Sequence, residues 1–325
     1  MNETPKDEVS PGFWPDALAC WQRLPNKFFF FGLLAAWLAL FHFFGSSILG
    51  YVHSPSIFAW LKNSYHPGGV SSDDSFGDLI PFVVVGLMWW KRKELLALPL
   101  QIWWPGILFL IAGSALHLFG FMLQQPRFSV VGMFAGIFGL MGLAWGRAWL
   151  RASVSSFWLF MFCVPLSALL LPLTFPLQLF VSWSVALAGN LLTIGVVRQG
   201  TMLFGAGGSY QYDIAPACSG MRSLIAIFLL AAVYGLVVFR SPRKRFLLMA
   251  LAVPLAVLGN VLRMMCIIFA AELGGQDWGN YVHEGCPVHL LGQEIAVANL
   301  LPYLPAIIGL IFIGRRLEKS EKPSA

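Results

Sequence analysis

The sequence predicts an all-α polytopic membrane protein of about eight transmembrane helices, and three observations support this fold class. Hydrophobic residues make up 58% of the 325 residues and charged residues only 11%, whereas soluble domains carry about 25% charged residues. Several apolar runs reach the roughly 20 residues that a helix needs to cross a bilayer. The Lys and Arg residues cluster between these runs, which is the pattern of the positive-inside rule.

The apolar runs define the predicted helices in chain order. Runs of spanning length cover residues 28–51, 102–123, 128–146, 153–173, 219–239, 246–270 and about 294–313. A shorter run, 79–90, precedes Lys91-Arg92-Lys93 and is counted as a span because this basic cluster belongs in the cytoplasm. With the N-terminus inside, 16 of the 21 Lys and Arg residues fall in cytoplasmic segments. We therefore predict a multi-pass membrane protein with both termini in the cytoplasm.

This topology divides the chain into three parts. Residues 1–27 are a polar cytoplasmic segment, 28–313 a single transmembrane domain and 314–325 a basic cytoplasmic tail. The first apolar run is long, so we interpret it as an anchor and not as a cleavable signal peptide. The scattered basic clusters argue against nucleic-acid binding. Five cysteines without paired spacing argue against a disulfide framework or a zinc ribbon, and no cofactor or metal is expected.

The segment 174–217 is predicted to stay outside the membrane core on the extracytoplasmic side. The helix that ends at residue 173 exits outside, and the helix that begins near residue 218 must run inward to reach the basic residues 240–245. Because residues 173 and 218 are both on the outer side, the chain between them must cross the membrane an even number of times. Zero crossings is the simplest solution. We expect an interfacial or re-entrant helix, followed by a small hairpin with strands at 201–204 and 210–214 around a Gly-rich turn.

The first candidate feature is Asp213-Ile-Ala-Pro-Ala-Cys218-Ser219-Gly-Met-Arg222. Pro216 interrupts the chain just before an apolar helix, which places Cys218 at a helix N-terminus where backbone amides favour a thiolate. Arg222 follows four residues later on the same helix face and adds a positive charge. The alternative is that Cys218 is a small buried hydrophobic residue.

The second feature is Arg263 in Gly259-Asn260-Val-Leu-Arg263. It lies roughly 26 Å along the helix that starts at Phe246, close to the outer surface of about 30 Å of hydrocarbon. An arginine within the membrane is costly and indicates a functional site, unless its side chain simply extends to the lipid headgroups.

The third feature is Tyr281-Val-His283-Glu284-Gly-Cys286, in the outer loop between the last two helices. A loop histidine carries weight only if it shares a membrane face with Cys218 and Arg263. A thiol, an imidazole and a guanidinium are the parts of an acyl-transfer site. A disulfide between Cys286 and Cys218 would block the nucleophile.

Other polar residues support different classes of protein. His42 and His117 lie in apolar helices and would have to face each other to bind a haem in a membrane cytochrome. A secondary transporter would use the intramembrane arginines, although the chain shows no duplicated halves. Asp73, Asp74 and Asp78 are expected to be solvated, and Cys163 and Cys266 to lie in the core.

Taken together, the motifs resemble the exosortase/archaeosortase family of eight-helix membrane cysteine transpeptidase-like enzymes. The similarity consists of Ala217-Cys218-Ser219-Gly-Met-Arg222-Ser-Leu, Asn260-Val-Leu-Arg263 and an aromatic-x-His at Tyr281–His283. Segments around 75–81 and 176–200 also resemble the family. Phe76 replaces a frequent histidine, and Pro287 replaces a usual glycine four residues after the histidine, which makes His289 a rival of His283.

The resemblance implies a function and assigns roles to these residues. The catalytic residues would be Cys218, Arg263 and His283, supported by Arg222, Asn260 and Ser219. The substrates would be membrane-anchored proteins with a C-terminal sorting signal that consists of a short motif such as PEP, a transmembrane helix and a basic tail. Cleavage would proceed through a thioester at the outer face of the lipid bilayer, with transfer to a lipid, a glycan or water.

Overall fold

The computed structural model describes residues 12–45, 56–69, 72–214, 221–284, 287–290, 293–296 and 303–319. The described chain is mainly helical and falls into two compact units, Met1–Val70 with Gly77–Pro165, and Ser71–Phe76 with Leu166–Ala325. The helices of the first unit are α1 (Phe13–Arg23), α2 (Lys27–Phe43), α3 (Ile57–Tyr65), α4 (Ile80–Trp90), α5 (Arg92–Leu96), α6 (Gly106–Met122), α7 (Pro126–Trp145) and α8 (Arg147–Phe157). Short 3-10 turns cover Pro67–Gly69, Ser75–Asp78 and Trp158–Cys163.

The described residues of the second unit form four helices and five short strands. They are α9 (Ser167–Leu191), β1 (Val196–Gln199), β2 (Met202–Gly205), β3 (Gln211–Asp213), α10 (Met221–Val238), α11 (Pro242–His283), β4 (Pro287–Leu290), β5 (Gln293–Ala296) and α12 (Tyr303–Lys319). β1, β2 and β3 form an antiparallel sheet in that order, and β4 pairs antiparallel with β5.

Apolar helices confirm the predicted class of α-helical membrane protein. By length and composition, candidate spans are Pro126–Trp145, Pro172–Leu191, Met221–Val238 and Pro242–His283, and the pair α1 and α2, bent by 90°, would be a fifth. The helices Ile80–Trp90 and Gly106–Met122 are apolar but shorter. Among the described residues this gives four or five candidate spans, so the count of eight stays a prediction.

One predicted helix has the wrong boundaries. The run 153–173 is divided between α8, a 3-10 turn at Trp158–Cys163 and the start of α9. α9 then continues through Pro172 and Pro176 to Leu191 without a break at residue 174. The helix expected within the 174–217 segment is therefore the continuation of α9. The hairpin that we expected after it is present as β2 and β3, and β1 is an additional strand that the sequence did not indicate.

Close packing of α6 on α7 dominates the first unit. A Cβ on Gly113 would lie 2.6 Å from the carbonyl oxygen of Gly132, and a Cβ on Gly106 would lie 2.5 Å from that of Gly139. Glycines at these positions let the two backbones approach, as is common between membrane helices. The Trp37 side chain of α2 joins this pair, since its Nε1 donates to the Met133 carbonyl at 2.9 Å.

Two buried apolar clusters organise the second unit. One joins α9, the three-stranded sheet and α11, with Val185, Leu203, Tyr212, Ile214 and Ile268 among its members. The other joins α10, α11 and α12 through residues such as Ile227, Ala256 and Ala306. α11 belongs to both clusters, and its position is fixed on two sides.

Residue Gly275 divides α11 into two helical segments. At 1.5 Å per residue, its 42 residues would extend about 63 Å, which is twice the hydrocarbon thickness of about 30 Å. Gly275 has φ +76° and ψ −173°, a conformation outside the helical region. The apolar stretch ends at Ala271. Polar residues then lie on both sides of Gly275, with Glu272 before it and Gln276 and Asp277 after it. The membrane-spanning part of α11 thus precedes Gly275, and residues 276–283 lie beyond it.

The helix pair α6 and α7 provides a test of this packing. We expect Gly113→Ala to destabilise the protein, because overpacking against a backbone oxygen costs about 1–3 kcal/mol, more than the gain of about 1 kcal/mol in helix propensity. Gly86→Ala in α4 is the matched control, since a Cβ there meets no atom within 4 Å. It should be neutral or stabilising. Thermal unfolding in detergent, followed by tryptophan fluorescence, measures both; a Gly113→Ala protein as stable as wild type would contradict the close approach.

Candidate active site

The reversal at Gly275 brings Arg263 and the backbone of His283 together. In an uninterrupted helix, residues 20 positions apart would be separated by about 30 Å. In the structure, an Nη2–H of Arg263 donates to the carbonyl oxygen of His283 at 3.3 Å. A Cβ on Gly279 would lie 2.8 Å from the Cβ of Ala271. The segment 276–283 therefore packs back against the end of the membrane-spanning part.

The three-stranded sheet holds this returning segment. The backbone N–H of Gln211 donates to Oε1 of Gln276 at 2.8 Å, and Nε2 of Gln276 donates to the Gln211 carbonyl at 3.3 Å. The Tyr212 hydroxyl donates to the Gln276 carbonyl at 3.2 Å. The Tyr212 ring stacks on the His283 imidazole with centroids 6.4 Å apart and planes at 22°. The sheet thus contacts both the start of the segment and the predicted catalytic histidine.

Gly279 allows Tyr212 to reach this position. A Cβ at residue 279 would lie 1.8 Å from the Tyr212 oxygen, which is far below any van der Waals contact. Tyr212 itself is 6% exposed, and the surrounding apolar cluster leaves its ring little room to move. The ring is therefore fixed between the sheet and the returning segment.

Burial affects the titration of the groups around this contact. Burial and the nearby Arg263 cation lower the pKa of His283, and Glu284 opposes them. Burial, reinforced by the negative charge of Glu272, raises the pKa of Tyr210 to about 12. Burial, reinforced by Asp277, raises the pKa of Tyr212. At neutral pH the imidazole is therefore mainly uncharged beside the neutral phenol of Tyr212.

Arg222 lies at the start of α10 in contact with an acidic residue from the segment 72–76. Its Nε is 3.3 Å from Oδ1 of Asp73. The Tyr303 side chain at the start of α12 interacts electrostatically with Arg222, Arg263 and Asp73. These four side chains come from four separate stretches of the chain.

The packing of α10, α11 and α12 agrees with this placement. Ile227, Ala256 and Ala306 share one buried cluster. Arg222 precedes Ile227 by five residues and Arg263 follows Ala256 by seven, so on antiparallel helices both lie roughly 8–10 Å beyond the cluster in the same direction. Asn260, predicted to support Arg263, is 2% exposed and lies one helical turn before it.

Of the three acidic residues that we expected to be solvated, Asp74 is buried, so the expectation is wrong for that residue. The side chains of Asp73 and Asp78 remain 30% and 47% exposed. Asp73 pairs with Arg222. Asp74 is 8% exposed, and its carboxylate accepts from the backbone amides of Leu166 and Ser167 at the start of α9, each at 3.0 Å. An oxygen of the Asp78 carboxylate forms a hydrogen bond with Nε2 of His66 at 2.5 Å.

Other sequence predictions fare differently. Cys218, Ser219 and Cys286 lie outside the described residues, and His289 lies in β4, where only the backbone is described. Cys163 is buried as expected, whereas Cys266 is exposed on α11 and was wrongly assigned to the core. His42 contacts the Ser56 hydroxyl at 3.0 Å, and His117 contacts the Phe44 carbonyl at 2.8 Å.

Three residues of the site were not identified from the sequence. They are Tyr212, Gln276 and Tyr303. The alternation of Tyr210, Tyr212 and Ile214 indicated one buried strand face, but the partner of that face depends on the reversal at Gly275. Among the described residues, no group of His, Cys, Asp and Glu could hold a metal ion.

Comparisons with known proteins identify one match. The family model described as Transmembrane exosortase (Exosortase_EpsH) matches residues 60–290. A search of curated proteins and a search of solved structures each found no match. The matched region includes the charged residues Asp73, Arg222 and Arg263 together with Tyr212 and His283.

Substitution of Gly279 tests the contact between the sheet and the returning segment. We expect Gly279→Ala to displace Tyr212 and to increase hydrogen–deuterium exchange in residues 276–283, because the new Cβ would overlap the tyrosine oxygen. Gly207→Ala is the matched control, since a Cβ there meets nothing within 4 Å. Unchanged exchange in Gly279→Ala would contradict the described packing.

The lowered pKa of His283 predicts a dependence of stability on pH. Because the ordinary value is 6.5 and the folded value is lower, the neutral imidazole stabilises the fold above pH 6.5. This contribution is lost as the pH falls through the folded pKa. The midpoint of thermal unfolding should thus fall less in His283→Gln than in wild type between about pH 7.5 and about pH 5.5. An equal or larger fall in His283→Gln would argue against the lowered pKa.

Proposed function

Because the chain belongs to the transmembrane exosortase family, we propose that it cleaves C-terminal sorting signals of membrane-anchored proteins through a thioester on Cys218. The family match supports processing of sorting signals by a membrane enzyme. The individual roles rest on the residues that the fold collects around Arg263.

The contact between Arg263 and His283 is the observation that carries this proposal. Both residues were selected as catalytic from the sequence alone, although they are 20 positions apart. The 3.3 Å hydrogen bond requires the chain reversal at Gly275. A guanidinium that contacts the backbone of a half-buried histidine with a lowered pKa supports acid–base chemistry close to a site for a negative charge.

Cys218 is three residues before the first described residue of α10, and Arg222 is at its second position. The packing of α10 on α11 places Arg222 and Arg263 at a similar level. Because Cys218 is only four residues from Arg222 in the chain, this arrangement supports a position of its thiol near the cations Arg222 and Arg263. Cations next to a cysteine lower its pKa and favour the nucleophilic thiolate.

The proposed reaction follows from these roles. His283 accepts the thiol proton of Cys218, and the thiolate attacks the carbonyl carbon of the scissile peptide bond. Arg263 binds the oxyanion of the tetrahedral intermediate. When the C–N bond breaks, the imidazolium protonates the leaving amine and a thioester remains on Cys218. His283 then removes the proton from the acceptor, a hydroxyl of a lipid or glycan or a water molecule, whose attack releases the thiol.

The two supporting charges act on this site indirectly. Asp73 pairs with Arg222 and so holds the start of α10, and it offsets part of the positive charge of two arginines in a region of low dielectric. Arg222 is 45% exposed along its side chain, which suits a role in positioning and in electrostatic support of the thiolate. Asn260 would support the helical turn that carries Arg263.

The proposed topology fits a substrate of three parts. The substrate helix would lie beside the enzyme in the lipid bilayer with its basic tail in the cytoplasm. Its scissile segment would then reach the extracytoplasmic surface, where we place Cys218, Arg263 and His283. The charge distribution supports this orientation through the positive-inside rule.

Co-expression with a membrane protein that carries such a sorting signal tests the mechanism. Cys218→Ala should abolish processing while the enzyme remains inserted in the membrane, because no other group forms the thioester. Cys266→Ala, at an exposed cysteine on α11, is the matched control and should process normally.

Two outcomes would contradict the proposal. Continued processing by Cys218→Ala would exclude the thioester on that residue. Loss of processing in Cys286→Ala would show that a second cysteine is required for the reaction. Normal processing in that variant shows that no disulfide with Cys218 is required. Membrane fractionation and immunoblotting of the substrate distinguish these results.

A further inference from the structure

Basic residues gather at one end of the first unit. The start of α2 lies beside the end of α7, since Nδ2 of Asn26 donates to the Ala144 carbonyl at 2.8 Å. The end of α4 lies beside α8, since Nζ of Lys91 donates to the Ala152 carbonyl at 3.3 Å. The chain segments at this end contain seven Lys and Arg residues, namely Arg23, Lys27, Lys91, Arg92, Lys93, Arg147 and Arg151.

A cavity of about 520 Å³ opens between α1 and α5 at this end. Its charged lining consists of Asp16, Arg23, Arg92 and Lys93, and Leu96 contributes to an apolar wall. Three cations face one carboxylate, which leaves two positive charges in excess. An anion of one or two charges would complement this lining.

The excess charge belongs to Arg23 and Lys93. Arg92 is already held, because its Nε donates to Oδ2 of Asp16 at 3.1 Å and its guanidinium lies 4.4 Å from the centre of the Trp89 ring. Arg23 and Lys93 are exposed, and within the described ranges neither forms an ion pair.

Exposed aromatic residues place this cavity at the depth of the lipid headgroups. α1 is bent by 90° from the apolar helix α2. Its exposed side chains include Phe13 at 63%, Trp14 at 79% and Trp21 at 44%. Tryptophans concentrate at the membrane–water interface, and a helix with aromatic and basic residues lies in the plane of that interface. Trp90 and Trp104 are exposed as well.

We infer that this cavity binds the phosphodiester group of an anionic phospholipid. The phosphate would lie between Arg23 and Lys93, with the glycerol and the upper acyl chains along Leu96 and Ala97. A lipid of the surrounding bilayer supplies phosphate at this depth. Anionic headgroups are favoured over zwitterionic ones, because a choline cation would enter a cavity that already has an excess of positive charge.

Native mass spectrometry of the full chain in detergent tests this inference. Phosphatidylglycerol and phosphatidylcholine with identical acyl chains are added to the delipidated protein. Wild type should bind phosphatidylglycerol more tightly. The double variant Arg23→Gln/Lys93→Gln should lose about fivefold in affinity for each cation removed, roughly 30-fold in total.

A second double variant controls for net charge. Arg147→Gln/Arg151→Gln removes two exposed cations from the same end of the unit, outside the cavity, and should bind phosphatidylglycerol like wild type. The proposed site would be contradicted if wild type bound the two lipids equally, or if both double variants lost the same affinity for phosphatidylglycerol. Displacement of phosphatidylglycerol by millimolar inorganic phosphate would show that the cavity binds a soluble anion, and it would contradict the proposal that the ligand is a phospholipid.

Discussion

The return of the chain at Gly275 is the constraint on which the candidate site depends. A continuous α11 would carry His283 about 30 Å away from Arg263, whereas the break at Gly275 brings the His283 carbonyl to 3.3 Å from the guanidinium. The reversal is stabilised from two sides. Apolar residues of α9, the sheet and α11 share one buried cluster, and Gln276 exchanges hydrogen bonds with the backbone of β3. The membrane helix is thereby extended into a short second segment that carries the imidazole.

Composition and residue spacing predict the class of the protein and several members of its site. The scarcity of charge identified a membrane protein, and the depth of Arg263 along its apolar run placed it at the end that contacts His283. The boundary of α9 could not be predicted, because Pro172 and Pro176 suggest an interruption. In a membrane, backbone hydrogen bonds are so favoured that a helix tolerates proline. The partners of Asp73 and Asp74 also could not be predicted, since Arg222 and Leu166 are distant in sequence.

Arg222 and Arg263, the two arginines of the candidate site, have different partners. Arg222 has a carboxylate partner in Asp73, so its charge is partly offset before a substrate arrives. Arg263 donates to the backbone carbonyl oxygen of His283. The contact of Arg263 with the proposed acid–base residue agrees with the direct role that we propose for Arg263, and the ion pair of Arg222 with Asp73 agrees with a positioning role.

The small sheet explains how a membrane protein of mainly apolar helices can fix a polar side chain accurately. Helices within lipid gain no hydrophobic driving force for association, because lipid tails are as apolar as leucine. Tyr212, by contrast, is held by β2, by the apolar cluster and by the glycine at position 279, and its ring stacks on His283. The imidazole is thus positioned by a ring that is itself buried in a tightly packed cluster. In the proposed mechanism, a histidine positioned in this way transfers protons without first becoming ordered.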